Sequence, residues 1–94
     1  MIQILVRTGQ ITVTGHAGYA PSGQDIVCAA VSALTLTLIR GLEQVAGMNI
    51  KSREASGNVC IEWQHMNDTG KALIDTWFLG ISSIAEDYNC IQFI

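Results

Sequence analysis

A long apolar helix is the element that most constrains how this chain can fold. It begins at Asp25, a residue type that caps helices, and runs to about Ala46, where Gly47 is a suitable terminator. Apolar side chains fill most of its circumference, at positions 26, 27, 30, 31, 34, 38, 39, 42 and 45. A helix with so much apolar surface packs into the core, so we expect it to be central to the fold.

Alternating apolar and polar residues predict strands on both sides of this helix. Residues 2–7 and 11–16 form one expected hairpin, and residues 49–55 and 59–64 form a second, joined by a turn at 56–58. A second helix is expected over about 69–87 and a last strand over 88–94. The order β-β-α-β-β-α-β predicts a single α+β domain over residues 1–94, with two helices packed on a mostly antiparallel or mixed sheet.

Composition narrows the classes of partner. The net charge is −3 and only five Lys and Arg are present, without a basic run, so nucleic-acid binding is not expected. Hydrophobic residues make up 49% of the chain and the mean hydropathy is +0.33, which favours a homodimer that covers apolar surface. The longest apolar-rich run, Ile26–Ile39, is short for a membrane span. No signal peptide is visible, so we expect a cytoplasmic protein without a membrane partner.

The cysteines argue against a disulfide framework and a metal site. The chain has three cysteines, an odd number, and they are widely spaced without a CxxC pair: Cys28, Cys60 and Cys90. Reduced thiols in the cytosol fit this usage better. We therefore expect neither a metal nor a cofactor, and we expect Cys60 and Cys90, which lie in strand sequence, to be structural.

One segment carries the chemistry. His16 ends the second strand, a glycine-containing loop follows, and Cys28 lies in the first turn of the long helix. Helix N-termini and imidazoles stabilise thiolates, so the pair suggests a cysteine nucleophile with its base. The backbone N–H of Cys28, with a neighbouring loop amide, is the candidate oxyanion donor. The structural alternative is that Cys28 is an ordinary core cysteine and His16 a solvated side chain on the threonine face of its strand.

Neighbouring polar residues have two interpretations each. Asp25 either caps the helix or orients His16 as a third catalytic member. Ser32 lies one turn after Cys28 and either contacts substrate or bonds back to the helix backbone. Residues 17–24 are either a substrate lid or an ordinary connection, with the Pro and Gly placement of a type I turn at residues 20–23.

The chain resembles a known family over this segment. The shared residues are Gly15-His16-Ala17, Gly23 and the run Asp25-Ile26-Val27-Cys28-Ala29-Ala30-Val31-Ser32. They look like the motif of the ribosomal-processing cysteine proteases called Prp. The resemblance implies a catalytic dyad at His16 and Cys28, with supporting or substrate-binding roles for Asp25, Ser32, Gly15 and Gly23.

That resemblance also implies what the protein acts on. The family members are homodimeric α+β endopeptidases of the bacterial cytoplasm. They remove the N-terminal extension of a large-subunit ribosomal protein, which ribosome maturation needs. Related enzymes process capsid or scaffold proteins of bacteriophages. Two further hypotheses stay open on the residues alone: a non-enzymatic dimeric interaction module, and a thiol redox sensor in which Cys60 or Cys90 approaches Cys28.

Overall fold

Five strands form one mixed sheet whose inner face is covered by two helices. The computed structural model describes residues 1–94. In chain order the elements are β1 (Ile2–Arg7), β2 (Gln10–Thr14), α1 (Ile26–Gln44), β3 (Ile50–Ala55), β4 (Asn58–Trp63), α2 (Asp68–Asp87) and β5 (Ile91–Phe93). The spatial order is β3-β4-β2-β1-β5; β5 runs parallel to β1 and every other pair is antiparallel. The expected α+β fold and element order are confirmed.

The core lies between the sheet and the helices. Alternation along the strands turns the side chains of Ile4, Ile11 and Ile61 inwards, where each is almost fully buried. On the other side of the layer, α1 contributes Val27, Val31, Thr35, Leu38, Ile39 and Leu42. The opposite face of the sheet carries no helix, as is common for antiparallel sheets.

The two helices also pack on each other. The indole Nε1–H of Trp77 on α2 donates to the Thr35 hydroxyl oxygen at 3.2 Å, which satisfies the two buried polar groups. By length and composition α1 could cross a membrane. Its buried face, however, is part of the same core as the sheet, which is the arrangement expected of a core helix.

Element ends differ from the sequence prediction where local backbone geometry intervenes. The second strand stops at Thr14 because Gly15 has a φ of +90°, which leaves the extended conformation. The last strand covers only Ile91–Phe93. Tyr88 is still tied to α2 through its N–H, which donates to the Ile84 carbonyl, so the chain turns before β5 begins.

Candidate active site

Asp25 organises the start of α1 and the loop before it. One carboxylate oxygen accepts the backbone N–H groups of Val27 and Cys28, at 3.0 and 2.9 Å. The other accepts those of Tyr19 and Ala20, at 2.9 and 3.4 Å. Four orphan donors are thus satisfied by one side chain. None of these bonds goes to His16, so the contacts of Asp25 are those of a helix cap.

These bonds also lower the pKa of the Asp25 carboxyl group. The N–H of Cys28 is the strongest influence that lowers the pKa of Asp25 below its ordinary 3.8; desolvation opposes it, and the loop and Val27 amides add to the lowering. The folded carboxylate therefore holds its negative charge to lower pH than in the unfolded chain. Its contribution to stability is present above the unfolded value and is lost as pH falls through the folded one.

Asp25→Asn should lower the unfolding free energy at pH 7, because the amide has one acceptor oxygen instead of two. The deficit should stay constant from pH 7 to about 5 and shrink below about pH 4, where Asp25 of the unfolded wild-type chain takes up a proton while the folded carboxylate stays charged. Denaturant unfolding across this range measures it. Asp75→Asn, which removes only an exposed pair with Lys71, is the matched control and should cost less at pH 7. A deficit at pH 3 as large as at pH 7 would contradict the assignment.

The thiol of Cys28 lies at the first turn of α1, as predicted. The backbone N–H of Ala17 donates to its Sγ at 3.3 Å. Ala17 is buried, whereas Cys28 is half-buried. A backbone donor aimed at the sulfur fixes the direction of the Cys28 side chain.

His16 lies beside the same thiol but not where strand alternation predicted. Since Gly15 ends β2, the alternation does not extend to His16. Its side chain borders a cavity of about 140 Å³ that Val13 and Cys28 also line, so the prediction that it lies on the threonine face is wrong. His65, in contrast, is exposed on the segment before α2.

The cavity brings together residues from four separate segments. It lies between the N-terminal half of α1 and the turn that joins β3 to β4. Apolar side chains of the strands and α1 form part of its wall, and exposed polar residues surround its mouth. The lining residues are Ile2, Val13, Gly15, His16, Cys28, Val31, Ser32, Thr35, Ala55, Ser56, Gly57, Asn58 and Val59.

The other predicted site residues have distinct places. Ser32 and Gly15 line the cavity. Gly23 does not; its φ of +84° lies inside a turn closed by the Gln24 N–H on the Pro21 carbonyl. That turn starts one residue later than predicted and has a positive φ at its third position, which is the type II requirement. Gly23 therefore shapes the loop rather than the cavity.

The expected oxyanion donor is engaged elsewhere. The Cys28 N–H donates to Asp25 in the free chain, so that part of the prediction is wrong for this state. A backbone N–H that already donates to the capping side chain is not free to meet a developing oxyanion.

The loop of residues 17–24 is tied to the C-terminal end of α2. The Tyr19 ring packs edge-on against the Tyr88 ring, with centroids 5.3 Å apart. The Asp25 carboxylate holds the backbone of the same segment. Residues 17–24 are thus fixed at two points in the free chain.

The β3–β4 turn is the part of the site that sequence reasoning missed. Residues 56–58 were interpreted only as a hairpin turn, yet all three line the cavity. Thr14 pairs with Asn58 across the β2–β4 ladder, which sets the turn next to the end of β2. Predicting this wall requires the pairing of β2 with β4, and the alternation of residues within each strand does not reveal which strands pair.

Known proteins share both the sequence and the fold. The ribosomal processing cysteine protease Prp of Bacillus subtilis is 28% identical over 102 aligned positions, covering 95% of this chain and 91% of that protein. Its Mycoplasma pneumoniae namesake is 53% identical over 34 residues, 36% of this chain and 34% of that protein. The crystal structure of Prp from S. aureus with a covalently linked product peptide superposes with a TM-score of 0.87 at 23% identity, covering 98% and 94% of the two chains.

A Streptococcus mutans crystal structure is also similar, with a TM-score of 0.74, 30% identity, and coverage of 99% of this chain and 91% of that one. The family model described as cysteine protease Prp matches residues 1–91, nearly the whole chain. With the fold and most of the sequence accounted for by that one family, the chain belongs to the Prp cysteine proteases.

Proposed function

We propose that this chain removes the N-terminal extension of a bacterial large-subunit ribosomal protein, with Cys28 as nucleophile and His16 as base. The observation that supports the proposal is the cavity of about 140 Å³, which His16 and Cys28 both line although they come from different segments. The S. aureus relative holds a product peptide by a covalent bond, and the two curated relatives are named for ribosomal processing.

The chemistry follows from these two side chains. His16 takes the thiol proton as Sγ of Cys28 forms a bond to the scissile carbonyl carbon. When the carbon–nitrogen bond breaks, His16 gives that proton to the leaving amine, and a thioester remains on Cys28. Water then attacks the thioester with His16 as base, and the proton returns to sulfur as the acid product leaves.

Three neighbours have supporting roles in this scheme. The Ala17 N–H, 3.3 Å from Sγ, stabilises the attacking thiolate. Asp25 keeps the loop and the first turn of α1 in register through both of its oxygens. Ser32, exposed at the cavity mouth one turn after Cys28, is placed to hydrogen-bond the peptide backbone.

The test is cleavage of the host's own substrate. The purified chain is incubated with a peptide that spans the N-terminal extension of the large-subunit ribosomal protein, and products are identified by intact mass. One cut at one bond is expected. A peptide that binds but stays whole would contradict the ribosomal assignment, and prophage capsid or scaffold peptides would then be tested with the same assay.

We also propose that the enzyme is a cytoplasmic homodimer that meets its substrate before or during ribosome assembly. The outward face of α1 carries exposed apolar and small residues at helical spacing, at Ile26, Ala29, Ala33 and Leu36. Apolar surface of this kind is typical of interfaces. An isologous contact would place this stripe of one protomer against that of its partner.

Leu36→Glu should convert the dimer to a monomer, because two buried carboxylates would face each other across the axis. Light scattering measures the mass, which for one chain is 10.1 kDa. Val45→Glu changes a more exposed apolar residue, the C-cap of α1, which lies outside this stripe, and should leave the mass unchanged. A wild-type protein that is monomeric at micromolar concentration would contradict the proposal.

A further inference from the structure

The turn between β3 and β4 contains a glycine whose missing side chain makes room for His16. A Cβ built on Gly57 would lie 2.6 Å from Nε2 of His16, 2.8 Å from Cε1 and 3.3 Å from Cδ2. The first two distances are under 3.0 Å, which real Cβ contacts essentially never show, and both are to atoms of the imidazole ring. The imidazole therefore rests directly on the backbone of Gly57.

The turn is not free to withdraw from the ring. The Gly57 carbonyl accepts the Gly15 N–H at 2.9 Å, one residue before His16. The next residue, Asn58, is fixed by two strand pairings: it pairs with Thr14 of β2 and with Ala55 of β3. The glycine and the histidine thus belong to one hydrogen-bonded corner of the sheet, and a group added at Gly57 has to displace the ring.

We infer that Gly57 is a positioning residue for catalysis: it forms the surface against which the His16 ring is held on the cavity shared with Cys28. This rests on the proposed role of His16 as the base. A proton acceptor has to lie within hydrogen-bond reach of the thiol in the substrate complex. The three atoms nearest to a Cβ at position 57 all belong to the His16 ring, and none belongs to Cys28 or Asp25.

The test compares Gly57→Ala with Gly47→Ala. Both glycines have positive φ, +71° and +63°, but a Cβ at Gly47 meets nothing within 4 Å. The two variants therefore share the backbone strain, and only Gly57→Ala crowds His16. Single-turnover cleavage of the ribosomal extension peptide should slow about a hundredfold in Gly57→Ala, as expected for a reacting group displaced by about 1 Å. Gly47→Ala should stay within about twofold of wild type.

Peptide binding separates positioning from a general structural defect. The peptide Kd is measured with each glycine variant in a Cys28→Ala background, so that no cleavage occurs. The Kd should be unchanged by Gly57→Ala while the single-turnover rate falls. Equal rates in Gly57→Ala and Gly47→Ala, or a loss explained wholly by weaker binding, would overturn the inference.

Two further measurements keep the result decisive. Asn tolerates positive φ better than Ala, so Gly57→Asn keeps the crowding with less strain and should show the same rate loss if the alanine variant does not fold. In the wild-type protein, NMR should show nuclear Overhauser contacts between the Gly57 α-protons and the His16 ring; their absence would also overturn the inference. If His16→Ala cleaves like wild type, the proposed function fails; if it is inactive while both Gly57 variants are active, only the positioning role fails.

Discussion

Replacing Cys28 with alanine should abolish cleavage of the ribosomal extension peptide while the fold and peptide binding survive. The nucleophile is then missing, and the loss should be at least about ten-thousandfold, the scale seen when the attacking group of a hydrolase is removed. The stability cost should be small, about 1 kcal/mol, because the change removes one weak hydrogen bond from Ala17 and a half-buried sulfur. Intact mass reports cleavage and calorimetry reports peptide binding.

Cys90→Ala is the matched control for this experiment. Its thiol is also free and half-buried, but it lies just before β5 and does not line the cavity. The control should cleave at the wild-type rate. Cleavage by Cys28→Ala at a comparable rate would eliminate Cys28 as the nucleophile, and loss of cleavage in both variants would point to instability rather than chemistry.

The second large effect is expected at His16. Without its imidazole no side chain at the cavity accepts the thiol proton, so His16→Ala should slow single-turnover cleavage by about 10²- to 10⁴-fold. The peptide Kd, measured in the Cys28→Ala background, should change little because His16 is exposed at the cavity mouth. His65→Ala removes the other histidine, which is also exposed but lies outside the cavity, and should cleave normally. A His16→Ala rate within threefold of wild type, about the spread of a minor contact, would contradict the assignment.

Local sequence signals were sufficient for the fold class. The hairpin turns at Gly9 and Gly57, the cap at Asp25 and the apolar face of α1 each act over a few residues, so each could be recognised without the rest of the chain. The pairing of β2 with β4 and of β1 with β5 joins residues distant in sequence. Such pairings depend on how whole elements pack, and periodicity within a strand cannot determine them.

In the candidate site, too, the parts that are local in sequence could be predicted and the parts brought together by the fold could not. The segment from Gly15 to Ser32 pointed to His16 and Cys28 because their roles depend on a strand end and a helix start that are near in sequence. The face of His16 was mispredicted because a single glycine, Gly15, breaks the strand alternation. The wall made by residues 56–58 is supplied by another hairpin, and only the tertiary structure brings it to the site.

The most direct test of the central claim is to label the nucleophile with its own substrate sequence. A chloromethyl ketone of the acyl-side residues of the cut peptide puts its ketone at the position of the scissile carbonyl and its alkylating methylene carbon where the leaving nitrogen would be. Digestion and mass spectrometry then identify the labelled side chain. The account predicts one label per chain, on Cys28, with protection by excess product peptide and strong slowing in His16→Ala. Labelling of Cys60 or Cys90 in place of Cys28 would contradict it.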